Sequence, residues 1–250
     1  MAAFEAPPGL PVTLFAKIKA PGQNTGDLQI SGNEIKIQSG NKWTLFENVY
    51  DQQTREKDIC DSDLQRVIPL LMDGYSVCVF VFGTVSSDKR EFLSGIIQLL
   101  FGQLWNQLSN KTKSFQIQLN ALEIVEDTLY DLMDPSNENL VIEHNHDGPS
   151  VLNLQTSTLT STNDFSMLFT EIMDNRTQQL TEFGPKSAKS SFFLTMKITH
   201  NDTRSILHFV EIPAADKLIE NVAEVNILSF SFFLCRFLML SSHSLPLKMC

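Results

Sequence analysis

Residues Ser76–Phe82 read Ser-Val-Cys-Val-Phe-Val-Phe, a short unbroken apolar run. A strand buried on both faces shows such a run. Gly83 follows at once, then Thr84-Val85-Ser86-Ser87-Asp88-Lys89-Arg90, and from Glu91 the apolar residues recur at helical spacing. A buried strand that passes through a glycine and a polar loop into a helix confines the chain to an α/β architecture. The same order is the layout of a phosphate-binding loop, whose rule is G-x-x-x-x-G-K-[ST]. Gly83 and Lys89 match that rule, while the second glycine is Asp88 and the hydroxyl residue is Arg90.

The two departures are chemical. Such a loop points backbone N–H groups at phosphate oxygens, and the helix N-terminus adds positive potential. Glycine at the second site lets the backbone approach the anion and take unusual dihedrals. Asp88 sets a carboxylate there, which repels a triphosphate. The hydroxyl normally holds Mg²⁺ beside the phosphates. Arg90 cannot, because a guanidinium only donates. Candidate cofactor-binding residues are Gly83, Thr84, Val85, Ser86, Ser87, Asp88, Lys89 and Arg90, with no metal ligand at the Arg90 position.

Further segments give the loop its context. Trp43-Thr44-Leu45-Phe46-Glu47-Asn48-Val49-Tyr50 and Asp73-Gly74-Tyr75-Ser76 precede it. Gly95-Ile96-Ile97 and Glu123-Ile124-Val125-Glu126-Asp127-Thr128-Leu129-Tyr130-Asp131-Leu132-Met133 follow. In this order the chain resembles the kinesin motor domain, from about Val12 to about Lys217. That family carries F-D-x-V-F, G-Y-N, the phosphate loop, G-I-I-P-R and E-I-Y-N-E-x-I-x-D-L-L. The resemblance implies a P-loop α/β fold with a mixed central sheet and helices on both faces, ATP and Mg²⁺ as cofactors, and microtubules as partner.

It also places two nucleotide-sensing segments, both altered. Switch I, N-x-x-S-S-R-S-H in the family, falls on Gly184-Pro185-Lys186-Ser187-Ala188-Lys189-Ser190-Ser191. Ser187 and Ser190 survive, whereas Lys189 replaces an arginine whose bidentate fork lysine cannot reproduce. Switch II, D-L-A-G-S-E-R, falls on Glu211-Ile212-Pro213-Ala214-Ala215-Asp216-Lys217. The glycine whose amide senses the γ-phosphate is Ala214, and Pro213 stiffens a segment that must move. Ser187, Lys189, Ser190, Glu211 and Ala214 are thus the candidate switch contacts. The family's insertion between the loop helix and G-I-I-P-R is essentially absent, and its sequence pattern, main microtubule-binding helix included, stops after about Val225.

The 250 residues suit one domain with a substantial core, and 42% apolar against 19% charged residues is globular composition. The expected layout is a tail over 1–10, the motor-like domain over 11–225 and a divergent apolar tail over 226–250. A net charge of −10 argues against nucleic acid. It also weakens encounter with an acidic microtubule surface, so other protein partners are expected. Cys60, Cys78, Cys235 and Cys250 have no metal spacing and suit a reducing, cytoplasmic compartment. The apolar run 227–240 contains Arg236 and falls short of the ~20 residues that span a bilayer.

Coarse periodicity predicts strands over 11–19, 34–38, 115–119, 192–199 and 204–212. It predicts helices over 58–72, 95–108 and 162–180. His144 and His146 beside Glu143 and Asp147 read as a solvated turn rather than a metal site, and His208 as a core or edge residue. Glu123, Glu126, Asp127 and Asp131 read as a solvated strand-to-helix connection. The sequence reading is a kinesin-type pseudo-motor of the cytoskeleton with weak or no ATPase activity. The alternatives are a residual microtubule-dependent ATPase in a fuller isoform, or a fragment tethered to membranes through its C-terminal apolar run.

Overall fold

Among the described residues before Glu56 the regular elements are short strands. The computed structural model describes residues 13–18, 28–37, 43–83, 88–112, 114–145, 148–183 and 189–213. They fall into two compact units, divided after Asp58. In the first, β1 (Phe15–Lys17) pairs in parallel with β5 (Asn48–Tyr50). Strands β2 (Leu28–Ser31), β3 (Glu34–Ile37) and β4 (Trp43–Leu45) form an antiparallel meander. The turn after β5 is fixed by Asp51, whose Oδ1 accepts from the amides of Gln53 and Thr54 and from the Thr54 hydroxyl, each at 2.9 Å.

The helix predicted over 58–72 is broken in three. Helix α1 (Glu56–Ser62) is followed by a 3-10 turn (Leu64–Arg66) and then α2 (Val67–Met72). Pro69 is the reason. It has no N–H and its ring would strike the carbonyl four residues back, so an unbroken helix cannot pass through it, but the first turn of a new helix tolerates it. Helix α2 ends in a Schellman motif. Tyr75 N–H reaches the Leu70 carbonyl at 2.9 Å, and Gly74 N–H reaches that of Leu71 at 3.1 Å. The motif needs a left-handed residue, and Gly74 supplies it with φ +87°.

The second unit is built on a six-stranded mixed sheet ordered β11-β7-β12-β13-β6, with β8 also paired to β7. Strand β6 (Val77–Val81) is the apolar run and leads towards α3 (Lys89–Lys111); it ends the sheet order and is half-buried along its length, not buried on both faces as its composition suggested. Strands β7 (Phe115–Val125) and β8 (Thr128–Asp131) form a hairpin. Strands β9 (Val141–Asn145) and β10 (Gly148–Leu152) form another, and β11 (Ser157–Leu159) returns to the edge of β7. Helix α4 (Thr162–Phe183) is capped by Ser161, whose Oγ accepts from the Asp164 amide at 3.0 Å while its hydroxyl donates to Asp164 Oδ1 at 2.8 Å. Strands β12 (Ser190–His200) and β13 (Thr203–Glu211) are joined by Asn201 and Asp202, at φ 44° and 65°. Two successive positive-φ residues suit the tight hairpin turn whose twist matches that of its strands.

One face of this sheet holds the main core. Ile117, Leu119, Ala121, Phe192, Leu194, Met196, Ile198, Leu207 and Phe209 point into it from the strands. Helices α2, α3 and α4 close over them, with Phe101 of α3 stacked on Phe165 of α4 at 3.7 Å between centroids. The opposite face carries a smaller cluster, Leu122, Ile124, Phe193 and Val210, packed against Leu129, Leu140, Val151 and Leu154. Among the described strands of this sheet only β6 and β13 run parallel, so Glu211 at the end of β13 lies beside Val81, two residues before Gly83.

Candidate functional site

Three apolar stripes of the main core each end in a charge. Along β7, Ile117, Leu119 and Ala121 lead to Glu123. Along β13, Leu207 and Phe209 lead to Glu211. Along α4, Phe165, Phe169 and Ile172 lead, four residues on, to Arg176. Strand register then brings the ends together, because Phe192 of β12 is paired with Glu123 on one side and Glu211 on the other. The Arg176 guanidinium lies over the Phe192 ring, 4.3 Å from its centroid. Its Nε donates to Glu123 Oε2 at 2.8 Å and its Nη1 to Glu211 Oε2 at 2.9 Å. Arg176 is 1% exposed and Glu123 0%.

Charges this deep survive only when paired. Burial pushes the Glu123 carboxyl above its ordinary pKa, against the pull of Arg176 and of a hydrogen bond from Ser190. Burial opposes the Arg176 charge as well, but Glu123 and Glu211 outweigh it and raise the pKa. Two carboxylates against one guanidinium leave one formal negative charge, and Arg90 lies close enough to feel it. Burial lowers the Arg90 pKa first and Arg176 next, while Glu211 and Glu123 pull it up. The Arg90 Nε is buried without a hydrogen-bond partner.

Gly83 follows β6 at the end of the sheet where Glu211 closes β13. Glu211 pairs with Val81, two residues before Gly83, and the Ile212 amide donates to the Val81 carbonyl at 3.2 Å. Thr84, Val85, Ser86 and Ser87 lie outside the described residues. Asp88 caps α3 in the left-handed conformation, φ 51° and ψ 26°. That is a backbone state glycine enters freely and aspartate tolerates better than most. Lys89 is the first residue of α3, followed by the half-buried Arg90. Of the switch candidates, Lys189 stands just before β12, Ser190 opens β12, and Glu211 closes β13. Ser187 and Ala214 lie outside the described residues.

Two sequence expectations are revised and one holds. Glu123 and Asp131 are not solvated, and Glu126 and Asp127 do not lead into a helix. The segment is the β7–β8 hairpin, turning at Glu126 with φ 55°. Asp131 is 1% exposed, its carboxylate taking the amides of Met133, Asp134 and Gln155 at 2.7–3.2 Å. Glu143 and His144 belong to strand β9, where both are exposed, and His146 and Asp147 lie outside the described residues. His208 is a core residue, 5% exposed, with Nδ1 at 3.0 Å from Thr195 Oγ1. Arg176 escaped the sequence reading although its signal was there, since an arginine continuing an apolar helical stripe has to meet a buried acid.

With this geometry in place, the comparisons with known proteins agree on a class. The chain matches the kinesin motor domain over residues 16–220. It belongs to the kinesin motor-domain family. It is 28% identical over 216 residues to kinesin-like protein KIN-14G of Arabidopsis thaliana, covering 75% of this chain and 22% of that protein. It is 25% identical to kinesin-like protein 2 of Schizosaccharomyces pombe, covering 82% of this chain and 26% of that protein. Human kinesin-like protein KIF13B is 26% identical over 63% of this chain and 9% of its own length. The chain therefore spans about a quarter or less of these relatives. The solved structure of a fast kinesin superposes with a TM-score of 0.72 at 17% identity, covering 81% of this chain and 65% of that one.

Members of this family ordinarily bind ATP with Mg²⁺, and the residues here do not fit the metal. A P-loop site holds Mg²⁺ with the loop hydroxyl and an acid from the neighbouring strand. The hydroxyl position carries the Arg90 cation, and Glu211, the acid at the end of the parallel neighbour of β6, has one oxygen already bonded to Arg176. No described helix is long and apolar enough to cross a membrane, and the apolar run 227–240 lies outside the described residues.

Proposed function

We propose that this chain is a kinesin-type pseudo-motor, a cytoskeletal protein-interaction module that turns ATP over weakly or not at all. The observation that carries the reading is Arg90, a half-buried cation at the metal position on the first turn of α3. Removing one transition-state contact of this kind costs several kcal/mol of rate acceleration. Here the metal hydroxyl, the second loop glycine, the switch I arginine and the sensing glycine are all replaced. What persists is the scaffold of strand, loop frame, helix and buried ion cluster. Microtubules or tubulin are the partner the family suggests, and the net charge of −10 favours additional partners with basic surfaces. The proposed location is the cytoplasmic cytoskeleton.

One observation favours the rival reading of residual nucleotide binding. Asp88 keeps the left-handed backbone and Lys89 keeps the first position of α3. Calorimetric titration of Mg·ATP into the full chain, beside Lys89→Ala, separates the two. The pseudo-motor reading expects no binding by the folded protein. Micromolar binding lost in Lys89→Ala would establish the rival.

A further inference from the structure

We propose that the Glu123–Arg176–Glu211 cluster is a latch that couples the end of β13 to the segment joining α4 to β12, so that a ligand or partner engaging either one is felt at the other. The ladders show why side chains must make this link. Pairing of β12 with β13 ends at Phe192 and Glu211, whereas β12 stays paired with β7 for two residues more, as far as Ser190 and Val125. Ser190 therefore stands past the last rung shared with β13. Its hydroxyl donates to the Glu123 carboxylate. Arg176 Nε donates to Glu123 Oε2 at 2.8 Å, and Arg176 Nη1 carries the chain of bonds on to Glu211 Oε2 at 2.9 Å. Arg176 precedes the segment 184–189 on α4 and Ser190 follows it on β12, so both flanks of that segment converge on Glu123. Arg176 is a positioning residue here, and it is held rigidly. It is 1% exposed, its guanidinium lies 4.3 Å from the Phe192 ring centroid, and Nη2 makes a second, longer contact with Glu123 at 3.4 Å. A cation so fixed cannot follow a partner that withdraws, and breaking one bond strands a buried charge. Coupling between separate segments travels through side-chain networks of this kind.

The latch does not depend on the pseudo-motor reading, because it holds whether or not the chain turns over ATP. Its test is amide hydrogen exchange of the full chain without nucleotide, resolved by peptide, at labelling times before the centre of β7 exchanges. Ser190→Ala removes the first bond and leaves all three charges in place. Glu211→Asp keeps its charge but is one methylene too short to reach an arginine already fixed by Glu123 and Phe192. Ser190→Ala is expected to speed exchange at 209–213, and Glu211→Asp at 190–193, each by about fivefold or more. In the double variant the two effects should not add, since one break already opens the latch. His208→Gln, on the opposite face of β13, controls for loss of stability alone and should leave 190–193 at the wild-type rate. Should Glu211→Asp not be recovered folded, the response of 209–213 to Ser190→Ala decides. Exchange that rises only in the segment carrying the substitution overturns the proposal. So does an equal rise at 190–193 in His208→Gln, and so does a double variant whose two effects add in full.

Discussion

Arg176→Ala is expected to cost about 3–5 kcal/mol of folding stability, the cost of breaking a buried ion pair from one side. The substitution strands Glu123 and Glu211, which are 0% and 5% exposed, and removes the guanidinium from over the Phe192 ring. It also leaves the carboxylate oxygens that lie 2.8 and 2.9 Å from Arg176 without that donor. Against a total stability of about 5–15 kcal/mol such a loss brings the protein close to unfolding at physiological temperature. Urea denaturation of the variant measures it directly. Replacing all three charges by apolar residues of similar volume should be far milder than the single change, because it removes the stranded acids along with the cation. A loss below about 1 kcal/mol for Arg176→Ala would mean that water reaches the cluster and the charges are not buried as described.

Acid is expected to weaken the fold through His208. Burial lowers its pKa to about 4 from an ordinary 6.5, with the Lys197 charge adding to the effect. Whichever nitrogen carries the proton in the neutral ring, Nδ1 meets Thr195 and Nε2 has no partner. A second proton would add positive charge in a dry site and make both nitrogens donors, with no acceptor at Nε2. The sign follows from proton counting. Below pH 6.5 the unfolded chain binds a proton at this histidine and the folded chain does not, until about pH 4. Stability contributed by the neutral ring is complete above 6.5 and is lost as the pH falls from 6.5 towards 4, at about 1.4 kcal/mol per unit. Glu123, whose pKa is raised, acts in the opposite direction, and it is common to wild type and His208→Gln. The difference between their stability–pH curves isolates the histidine. Parallel curves between pH 6.5 and 4 would contradict the assignment.

Much of this architecture is legible in the sequence because local rules and burial agree. The run at β6, the alternation of Phe115, Ile117 and Leu119, and the stripe of Phe165, Leu168, Phe169 and Ile172 each occupy the element their period predicts. Pro69 carried its own warning, yet the apolar spacing around it suggested one helix. The break follows from a missing N–H that hydrophobic periodicity does not register. The acids from Glu123 to Asp131 misled for another reason. Their solvation was inferred from charge, but Glu123 lies in a stretch of β7 buried on both faces and Asp131 ends β8 on a buried position, and the partners that make the burial of Glu123 tolerable are distant in sequence. Arg176 is 53 residues from Glu123 and 35 from Glu211. The loop residues were identifiable as a frame from Gly83 to Arg90. That the strand before the loop ends beside a buried charge cluster was not, since only the parallel pairing of β13 with β6 brings Glu211 next to Val81.

The most direct test of the pseudo-motor account is phosphate release by the purified full chain in Mg·ATP, with and without polymerised tubulin, beside Lys89→Ala. The account predicts that wild type and variant are indistinguishable under both conditions. Turnover that microtubules stimulate and Lys89→Ala abolishes would contradict it, showing that the loop performs phosphoryl transfer despite Asp88 and Arg90.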